Sequence, residues 1–364
     1  MPEAIWIDTD EEIGALAQRL STHAHIGVDT EFLRERTFFP KLCLLQIAAG
    51  DGLWCVDAMR GRLDPLVPVL TAPACRKLIH AARQDLEALY LTAKCVSTPV
   101  FDTQIAAGCV GLKPQIGYAE LAYTLLAVTV TKEQTRTDWS RRPLRPEQLA
   151  YAADDVRYLQ EIAFRLEERA RELGRAHWVA EDCAALGDLR LYEPDPQLAW
   201  QRLRGIAQLA PEPRARAKAI AVWRERLARD RDLPRAWILG DAAIFDVANA
   251  NPRSAAGLRA LRTIPAAFNE RFAEGLLETL REAAQGGATD MQPAQDKRPT
   301  DAQAALLERL FGIVDARAAA LGVSAEILAP RGDLKTLAAG GRDVHALNGW
   351  RRAQIGDLLL ESLG

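Results

Sequence analysis

All strand signals of this 364-residue chain precede Trp200, and this break constrains the fold more than any other feature. Before it, short apolar runs bounded by turn residues alternate with helical segments. Three strand candidates, at residues 26–29, 42–48 and 52–57, predict a meander. Two more lie at residues 77–80 and 100–102. After Trp200 only helical patterns remain. The sequence therefore predicts an α/β domain with a mixed sheet flanked by helices, followed by all-α units.

Composition excludes several classes of protein. The chain carries 46 basic and 49 acidic side chains and is 49% hydrophobic, which is ordinary for a globular protein and excludes a disordered or fibrous one. No apolar run approaches the roughly 18 residues of a membrane span. The acidic N-terminal segment lacks the pattern of a secretory signal. The six cysteines are scattered without a CxxC pair, so we expect buried free thiols and a cytoplasmic location.

Acidic residues at three places are candidates for chemistry. Asp29 and Glu31 follow an apolar lead-in and lie two residues apart on a strand, so both side chains project from one face. Asp155 lies four residues after Tyr151 on a predicted helix, so the phenol and the carboxylate share one face. Asp85 lies where a strand gives way to a helix, a position that the helix dipole favours for an acid. Each signal alone also fits an ordinary helix-end or surface residue.

In combination these positions are specific. A D-x-E after a strand, an Asp at a strand-to-helix junction and a Y-x-x-x-D on a later helix resemble the DEDD superfamily of 3′–5′ exonucleases, in its tyrosine-containing branch. Three further segments extend the resemblance to the bacterial ribonuclease D family: RTFFPKLCLLQ at 36–46, FDTQ at 101–104 and RTDWSRRPL at 136–144. The resemblance is close over residues 1–175.

The resemblance implies a ribonuclease H-like (DnaQ-like) sheet and phosphodiester hydrolysis with two divalent metal ions, Mg²⁺ or Mn²⁺. Such ions take oxygen ligands and stand about 3.5–4 Å apart. By resemblance, Asp29 bridges both ions. Glu31 and Asp155 complete the site that activates water, and Asp85 supports the second ion. Tyr151 orients the attacking water, since a phenol with a pKa of about 10 is a poor base.

Six further residues are candidate substrate contacts. Phe32 is a candidate stacking partner for the terminal base, with a core position as the alternative. Arg141 and Arg142 are candidates for contacts with backbone phosphates, with a solvated loop as the alternative. The remaining three candidates are Thr30, His80 and Gln84, and for His80 a structural role is the favoured alternative.

The resemblance also extends to the helical half. Residues 214–283 resemble an HRDC domain, the helical module named for helicases and RNase D, and residues 237–241 are loosely echoed by residues 325–329. We therefore predict an exonuclease domain at 1–175, a helical connection at 176–213, a first HRDC domain at 214–285, a polar linker at 286–299 and a second HRDC-like domain at 300–364.

Positive charge is concentrated at the start of this half. Residues 201–235 carry ten basic and four acidic side chains, a local net of +6. Such a run is usually a solvated helix face. Since the negatively charged first half would have to hold an anionic strand, we expect residues 201–235 to contribute to RNA binding.

The leading hypothesis is a metal-dependent 3′–5′ exoribonuclease that releases 5′-mononucleotides and trims stable RNA precursors, notably the 3′ ends of tRNA. A DNA 3′–5′ exonuclease of the same superfamily is the alternative, because we identify no residue that reads a ribose 2′-hydroxyl. A non-catalytic nucleic-acid-binding module is disfavoured because all five expected positions are filled. A purely structural adaptor would leave the acidic residues unexplained. We expect a monomer that binds single-stranded RNA 3′ ends and no membrane.

Overall fold

The computed structural model describes residues 3–131, 137–265, 268, 271–285 and 300–363. Its contacts divide the chain into two compact units. The sheet unit comprises Met1–Leu33, Lys41–Tyr192 and Pro299–Gly364, and the helical unit comprises Arg34–Pro40 and Glu193–Arg298. The predicted linker at 286–299 and Arg136 of the RTDWSRRPL segment lie outside the described residues.

A mixed sheet organises the sheet unit. Its strands are β1 Ile5–Ile7, β2 His25–Leu33, β3 Lys41–Ala49, β4 Gly52–Asp57, β5 Arg76–Ile79 and β6 Val100–Asp102. They lie in the order β1-β4-β3-β2-β5-β6. The antiparallel pairs β2–β3 and β3–β4 are the predicted meander, whereas the β1–β4, β2–β5 and β5–β6 pairs are parallel. Gly50 turns the chain between β3 and β4 with a φ of +54°, which glycine adopts without a steric penalty. The predicted α/β class is confirmed.

Helices cover both faces of this sheet. The neighbours Leu78 and Ile79 on β5 belong to two different hydrophobic cores, as the alternation of side chains along a strand requires. The helices of this part of the chain are α1 Asp10–Leu20, α2 Val67–Thr71, α3 Arg83–Ala93, α4 Thr103–Cys109, α5 Tyr118–Leu126, α6 Pro146–Arg157, α7 Leu159–Glu172 and α8 Ala176–Ala185, with 3₁₀ turns at Asp64–Leu66 and Leu189–Leu191.

The helical unit has its own apolar core, which includes Ile220, Ile244, Leu258 and Leu276. Its helices are α9 Pro211–Arg231, α10 Arg235–Ile238, α11 Asp241–Ala250, α12 Ala255–Arg259 and α13 Ala273–Gln285, preceded by 3₁₀ turns at Pro196–Arg202 and Ile206–Gln208. The described part of this unit contains no strand, in agreement with the helical pattern after Trp200.

The last part of the chain is also helical. Its elements are α14 Asp301–Leu321, α15 Ala325–Leu328, α16 Arg331–Ala338, a 3₁₀ turn at His345–Leu347, α17 Gly349–Arg351, a π-helical turn at Arg352–Gly356 and α18 Asp357–Leu363. Helices α9 to α11 and α14 to α16 follow one plan, in which a 21-residue helix precedes a four-residue helix and then a third helix. Both long helices end at a left-handed residue, Asp232 or Gly322. This plan supports the predicted repeat.

Residues 300–363 nevertheless share a core with the sheet unit. The ring of Trp350 stacks on that of Trp178 in α8, with centroids 4.0 Å apart. Beside it, the Arg351 guanidinium pairs with the Asp182 carboxylate at 2.6 Å. The sequence predicts a separate second domain here, and the domain limits stay predictions.

The basic residues of 201–235 are mostly engaged inside the helical unit. Glu225 is 2% exposed and pairs with the guanidinium groups of Arg202, Arg229 and Arg235, an arrangement that we call the Glu225 cluster. Arg214 and Arg224 are buried, and their guanidinium groups donate to backbone carbonyls. The segment is therefore not the uniformly solvated face that its composition suggests. Its contribution to RNA binding stays a prediction.

All six cysteines are buried and free, as the sequence predicts. Burial raises the pKa of the Cys55, Cys109 and Cys183 thiols to about 12, so these groups stay protonated and behave as small apolar side chains. Within the described residues, every helix is too short or too polar to cross a bilayer.

Candidate active site

Strand β2 presents Asp29 and Glu31 on one face, as their spacing predicts. Gly27 lies on that face two residues earlier. A Cβ atom at Gly27 would stand 3.3 Å from the carbonyl oxygen of Val156 in α6, which is closer than most real contacts of this kind. The glycine therefore lets α6 approach the strand, and the acidic pair lies beside this helix.

Helix α6 supplies the third carboxylate. Pro146 occupies its first turn, where a missing N–H costs no hydrogen bond. One and a half turns further on, Tyr151 and Asp155 share a face, and the Tyr151 hydroxyl donates a hydrogen bond to the Asp155 carboxylate. Carboxylate oxygens of Asp29, Glu31 and Asp155 all lie within 4.8 Å of one another. We call these three residues the carboxylate cluster.

Asp85 adjoins the cluster from α3. It lies in the first turn of that helix and is buried. Its carboxylate accepts a hydrogen bond of 2.5 Å from the Thr30 hydroxyl, whose residue separates Asp29 from Glu31. Asp85 is also close enough for its charge to raise the pKa of Asp29. All four acidic residues predicted from sequence thus converge on one end of β2.

Burial disfavours the ionised form of every one of these groups. It raises the pKa of Asp85 and of Asp155 to about 7, although Thr30 and Tyr151 donate hydrogen bonds that act in the opposite direction. Burial, then repulsion from Asp155 and Asp85, raises the pKa of Glu31 to about 9. Burial and the neighbouring carboxylates raise the pKa of Asp29 well above its usual range.

This donor set fits hard divalent cations. Among the described residues, no lysine or arginine pairs with any of the four carboxylates. A buried cluster of acids is costly unless the acids are protonated or a cation compensates them. Carboxylate oxygens with no thiolate or imidazole among them are the ligands that Mg²⁺ and Mn²⁺ prefer. The carboxylate cluster therefore has the donor set that a divalent-metal site requires.

The other candidate contacts around β2 and α3 differ in their availability. Phe32 is half-buried and packs against the core that contains Ile26, and Gln84 is exposed at the start of α3. Both ring nitrogens of His80 are engaged, Nδ1 with the Thr103 hydroxyl at 2.8 Å and Nε2 with the Ile116 carbonyl at 3.0 Å. This geometry favours the structural alternative for His80. Contacts of these residues with substrate stay predictions.

Arg142 is neither available for a phosphate nor part of a solvated loop, which are the two alternatives that the sequence leaves open. Its side chain is 19% exposed and forms a two-point ion pair with Asp57, which is fully buried. The remaining N–H groups donate to the carbonyls of Cys43, Trp139 and Arg141, so no donor is left for a phosphate. Arg141 is exposed and pairs with Asp138 in the same loop, as the solvated alternative expects.

Sequence reasoning missed Tyr118. Its buried hydroxyl donates to the Asp154 carbonyl and accepts from the backbone N–H of Tyr158, which fixes the chain where α6 meets α7. The charges of Asp155 and Asp29 help to raise its pKa, so the phenol lies near the carboxylate cluster. No local motif marks this tyrosine, because its partners lie 36 and 40 residues further along the chain.

Comparison with known proteins agrees with this geometry. A family model described as a 3′–5′ exonuclease matches residues 4–171, and an HRDC domain model matches residues 214–280. The ribonuclease D of Acidiphilium cryptum is 36% identical, over 100% of this chain and 94% of its own length. That of Gluconacetobacter diazotrophicus is 35% identical, over 98% of this chain and 92% of its own length.

A solved structure extends the agreement to the whole fold. Escherichia coli RNase D, an exoribonuclease involved in structured RNA processing, matches with a TM-score of 0.91 at 27% identity. The match covers 100% of this chain and 99% of that one. The sheet and the helical parts are therefore both shared with that structure. The chain belongs to the ribonuclease D family of 3′–5′ exoribonucleases.

Proposed function

We propose that this exoribonuclease removes 5′-mononucleotides one at a time from the 3′ ends of single-stranded RNA, including tRNA precursors. The carboxylate cluster carries the proposal, because three carboxylates with oxygens within 4.8 Å of one another, beside a fourth buried acid, are the ligands that a cation site requires. The proposed setting is a monomer in the cytoplasm.

The proposed metal ligands follow from the positions of the carboxylates. Asp29 is central, since it lies within 4.8 Å of Glu31 and Asp155 and the charge of Asp85 also reaches it. We assign Asp29 to both divalent ions, Glu31 and Asp155 to one and Asp85 to the other. When bound, the ions supply Lewis acidity, which acidifies the attacking water and offsets charge on the departing 3′ oxygen.

The chain's own residues orient the reaction. Tyr151 is a donor on the same face of α6 as Asp155, so its hydroxyl is placed to hold the attacking water against the terminal phosphate. The water adds to phosphorus and loses a proton, and the bond to the 3′ oxygen of the preceding nucleotide breaks. That oxygen takes up a proton from solvent. The products are a 5′-mononucleotide and an RNA shortened by one residue with a new 3′-hydroxyl.

The proposed substrate contacts are ranked by their availability in the fold. Phe32 and Gln84 adjoin the acidic end of β2 and α3 and offer an aromatic face and an amide to a terminal nucleotide. Thr30 acts through Asp85, which accepts its hydroxyl hydrogen bond. The exposed Arg141 contacts a phosphate of the incoming strand in this proposal, whereas His80 and Arg142 act by supporting the fold.

The test is shortening of a 5′-labelled single-stranded RNA with Mg²⁺, Mn²⁺ or EDTA, beside a DNA of the same sequence. Wild type gives a ladder that shortens from the 3′ end, and EDTA abolishes it. Asp155→Asn lowers kcat by at least about 10³-fold, because a ligand of the water-activating ion is lost. Asp154→Asn is the matched control, since the adjacent carboxylate pairs with Arg157 instead of joining the cluster.

The outcomes separate the alternatives. Equal losses in the two variants would mean that the cluster is not the catalytic site. Faster shortening of DNA than of RNA would favour the DNA exonuclease. Tight RNA binding by a folded protein without any shortening would favour a binding module.

A further inference from the structure

Gln46 lies directly beside the carboxylate cluster. In the antiparallel pair of β2 and β3 it is the cross-strand partner of Asp29, and in the pair of β3 and β4 it is the partner of Cys55. Directly opposed residues project from the same face with Cβ atoms about 4.5–5.5 Å apart. The side chain of Gln46 therefore lies on the face that carries Asp29 and Glu31.

This amide is buried without a partner. Gln46 is 0% exposed, and among the described residues neither its Nε2 nor its Oε1 finds a hydrogen-bonding partner. A buried amide that makes no hydrogen bond is unfavourable, and native proteins retain few of them. An apolar side chain of similar size would fill this position at lower cost, so packing alone does not account for a glutamine.

The surroundings of Gln46 point to the carboxylate cluster as the acceptor for its Nε2 donor. Leu44, Cys55 and Ala152 form an apolar group on this face of the sheet, with α6 packed over the strands. Of the two residues paired directly with Gln46 across the sheet, Asp29 and Cys55, Asp29 is the one whose side chain accepts a hydrogen bond strongly. A hydrogen bond from the Thr30 backbone N–H acts to stabilise ionised Asp29.

We propose that Gln46 is a positioning residue whose Nε2 donates a hydrogen bond to the Asp29 carboxylate when the cluster holds its metal ions. The bond would hold the Asp29 carboxylate in one orientation toward the ions. Groups that hydrogen-bond to metal ligands in this way typically change metal affinity by about 10–100-fold when they are removed. This inference rests on the proposed function, because it assigns Asp29 as the ligand shared by both ions.

The experiment compares wild type with Gln46→Leu, which removes the amide and keeps most of the volume. We expect the Tm of the metal-free protein to stay level or rise, because an unpaired buried amide is lost. Mn²⁺ affinity, measured by calorimetry, is expected to fall at least about tenfold. The kcat on RNA falls by a similar factor, while KM for RNA changes less than twofold. Gln46→Met repeats the test with an unbranched side chain.

Cys55→Ala is the matched control, since Cys55 is buried on the same sheet face but one strand further from Asp29. It is expected to lower the Tm and to leave Mn²⁺ affinity unchanged. A Gln46→Leu protein with a lower Tm and wild-type Mn²⁺ affinity would show a packing role and overturn the inference. Loss of folding in both the Leu and Met variants would overturn it as well.

The same measurements distinguish this inference from the function on which it rests. If wild type binds Mn²⁺ and shortens RNA while Gln46→Leu does both equally well, only the role of Gln46 is wrong. If wild type neither binds Mn²⁺ nor shortens RNA, the proposed function fails and the inference fails with it.

Discussion

Two sites in this molecule bury acidic side chains, and they differ in how the charge of a buried carboxylate is compensated. In the Glu225 cluster a carboxylate that is 2% exposed meets three arginines of the helical unit. Although burial alone would raise it, hydrogen bonding and charge from Arg235 and its neighbours hold the pKa of Glu225 below its usual range. In the carboxylate cluster no such partner is present among the described residues, and burial raises the pKa of each acid.

The two sites differ in how burial of an acid affects the stability of the fold. The cations of the Glu225 cluster are part of the chain, so the site contributes to the fold whenever the chain is folded. Among the described residues no cation of the chain pairs with the carboxylate cluster, so the fold carries the cost of these three buried acids unless a cation from solution compensates them. The first site stabilises the structure, whereas the second lowers stability as long as its acids stay uncompensated.

The largest expected effect follows from removing one acid of each site. Glu225→Gln should lower the free energy of unfolding by about 2–3 kcal/mol, because charged hydrogen bonds are lost and three arginines lose their shared acceptor. Asp29→Asn should leave the metal-free protein equally stable or more stable. Urea unfolding in EDTA measures both. Glu212→Gln, on the same helix as Glu225 but exposed, should change stability by less than about 0.5 kcal/mol. If Asp29→Asn lowers the free energy of unfolding as much as Glu225→Gln does, the contrast between the two sites is wrong.

The two sites should also respond to pH with opposite signs. The folded pKa values of about 7 for Asp85 and Asp155 and about 9 for Glu31 exceed those of the unfolded chain. The folded protein therefore holds more protons, and its stability should fall as pH rises from about 4 toward 9. The lowered pKa of Glu225 has the reverse effect, since its stabilisation is lost as pH falls through the folded value.

Metal-free Tm measured between pH 5 and pH 8.5 checks this prediction. We expect a decline of a few degrees that Asp155→Asn reduces and that saturating Mg²⁺ abolishes, because the ion binds the deprotonated carboxylates. Glu225→Gln should keep the decline. A flat profile in wild type would mean that the cluster is already ionised at neutral pH.

The smallest expected effect concerns a neutral donor. Tyr151→Phe removes the hydroxyl that donates to Asp155 but leaves all four carboxylates in place. We expect kcat to fall about tenfold, which corresponds to about 1.4 kcal/mol, with little change in Tm. Single-turnover shortening of RNA measures it, and Tyr123→Phe is the control because Tyr123 is 65% exposed on α5. An unchanged rate in Tyr151→Phe would remove the tyrosine from the mechanism.

The carboxylate cluster could be predicted from the sequence and the Glu225 cluster could not. Asp29, Glu31, Tyr151 and Asp155 lie at spacings set by one strand and one helix, and their order matches a known family. The meander is equally local, because tight turns join its three strands. Arg229 lies four residues from Glu225 on the same helix. Arg202 and Arg235 lie 23 and 10 residues away on other elements, and only the packing of the helical unit shows that they meet Glu225 as well.

Contacts between residues far apart in the chain also account for the other features that the sequence did not predict. Arg142 reaches Asp57 across 85 residues, so its loop sequence gives no sign that every donor is used inside the fold. Trp350 stacks on Trp178, which lies even further away along the chain. The helical pattern of residues 300–363 fits a separate domain as well as it fits a part of the sheet unit. Gln46 is part of a segment that resembles the family, but its lack of a partner is a property of the packed sheet.

The shared core of residues 300–363 and the sheet unit has a consequence for synthesis of the protein. The ribosome completes β1 to β6 and the four acids well before it makes α14 to α18, whose side chains finish that core. At about 5–20 residues per second, the interval from residue 192 to residue 363 lasts roughly 10–30 s. During this time the nascent chain displays the apolar faces of α4 and α8, which Trp350 and its neighbours later cover. A nuclease made beside its own messenger thus completes this core only after α14 to α18 have been made.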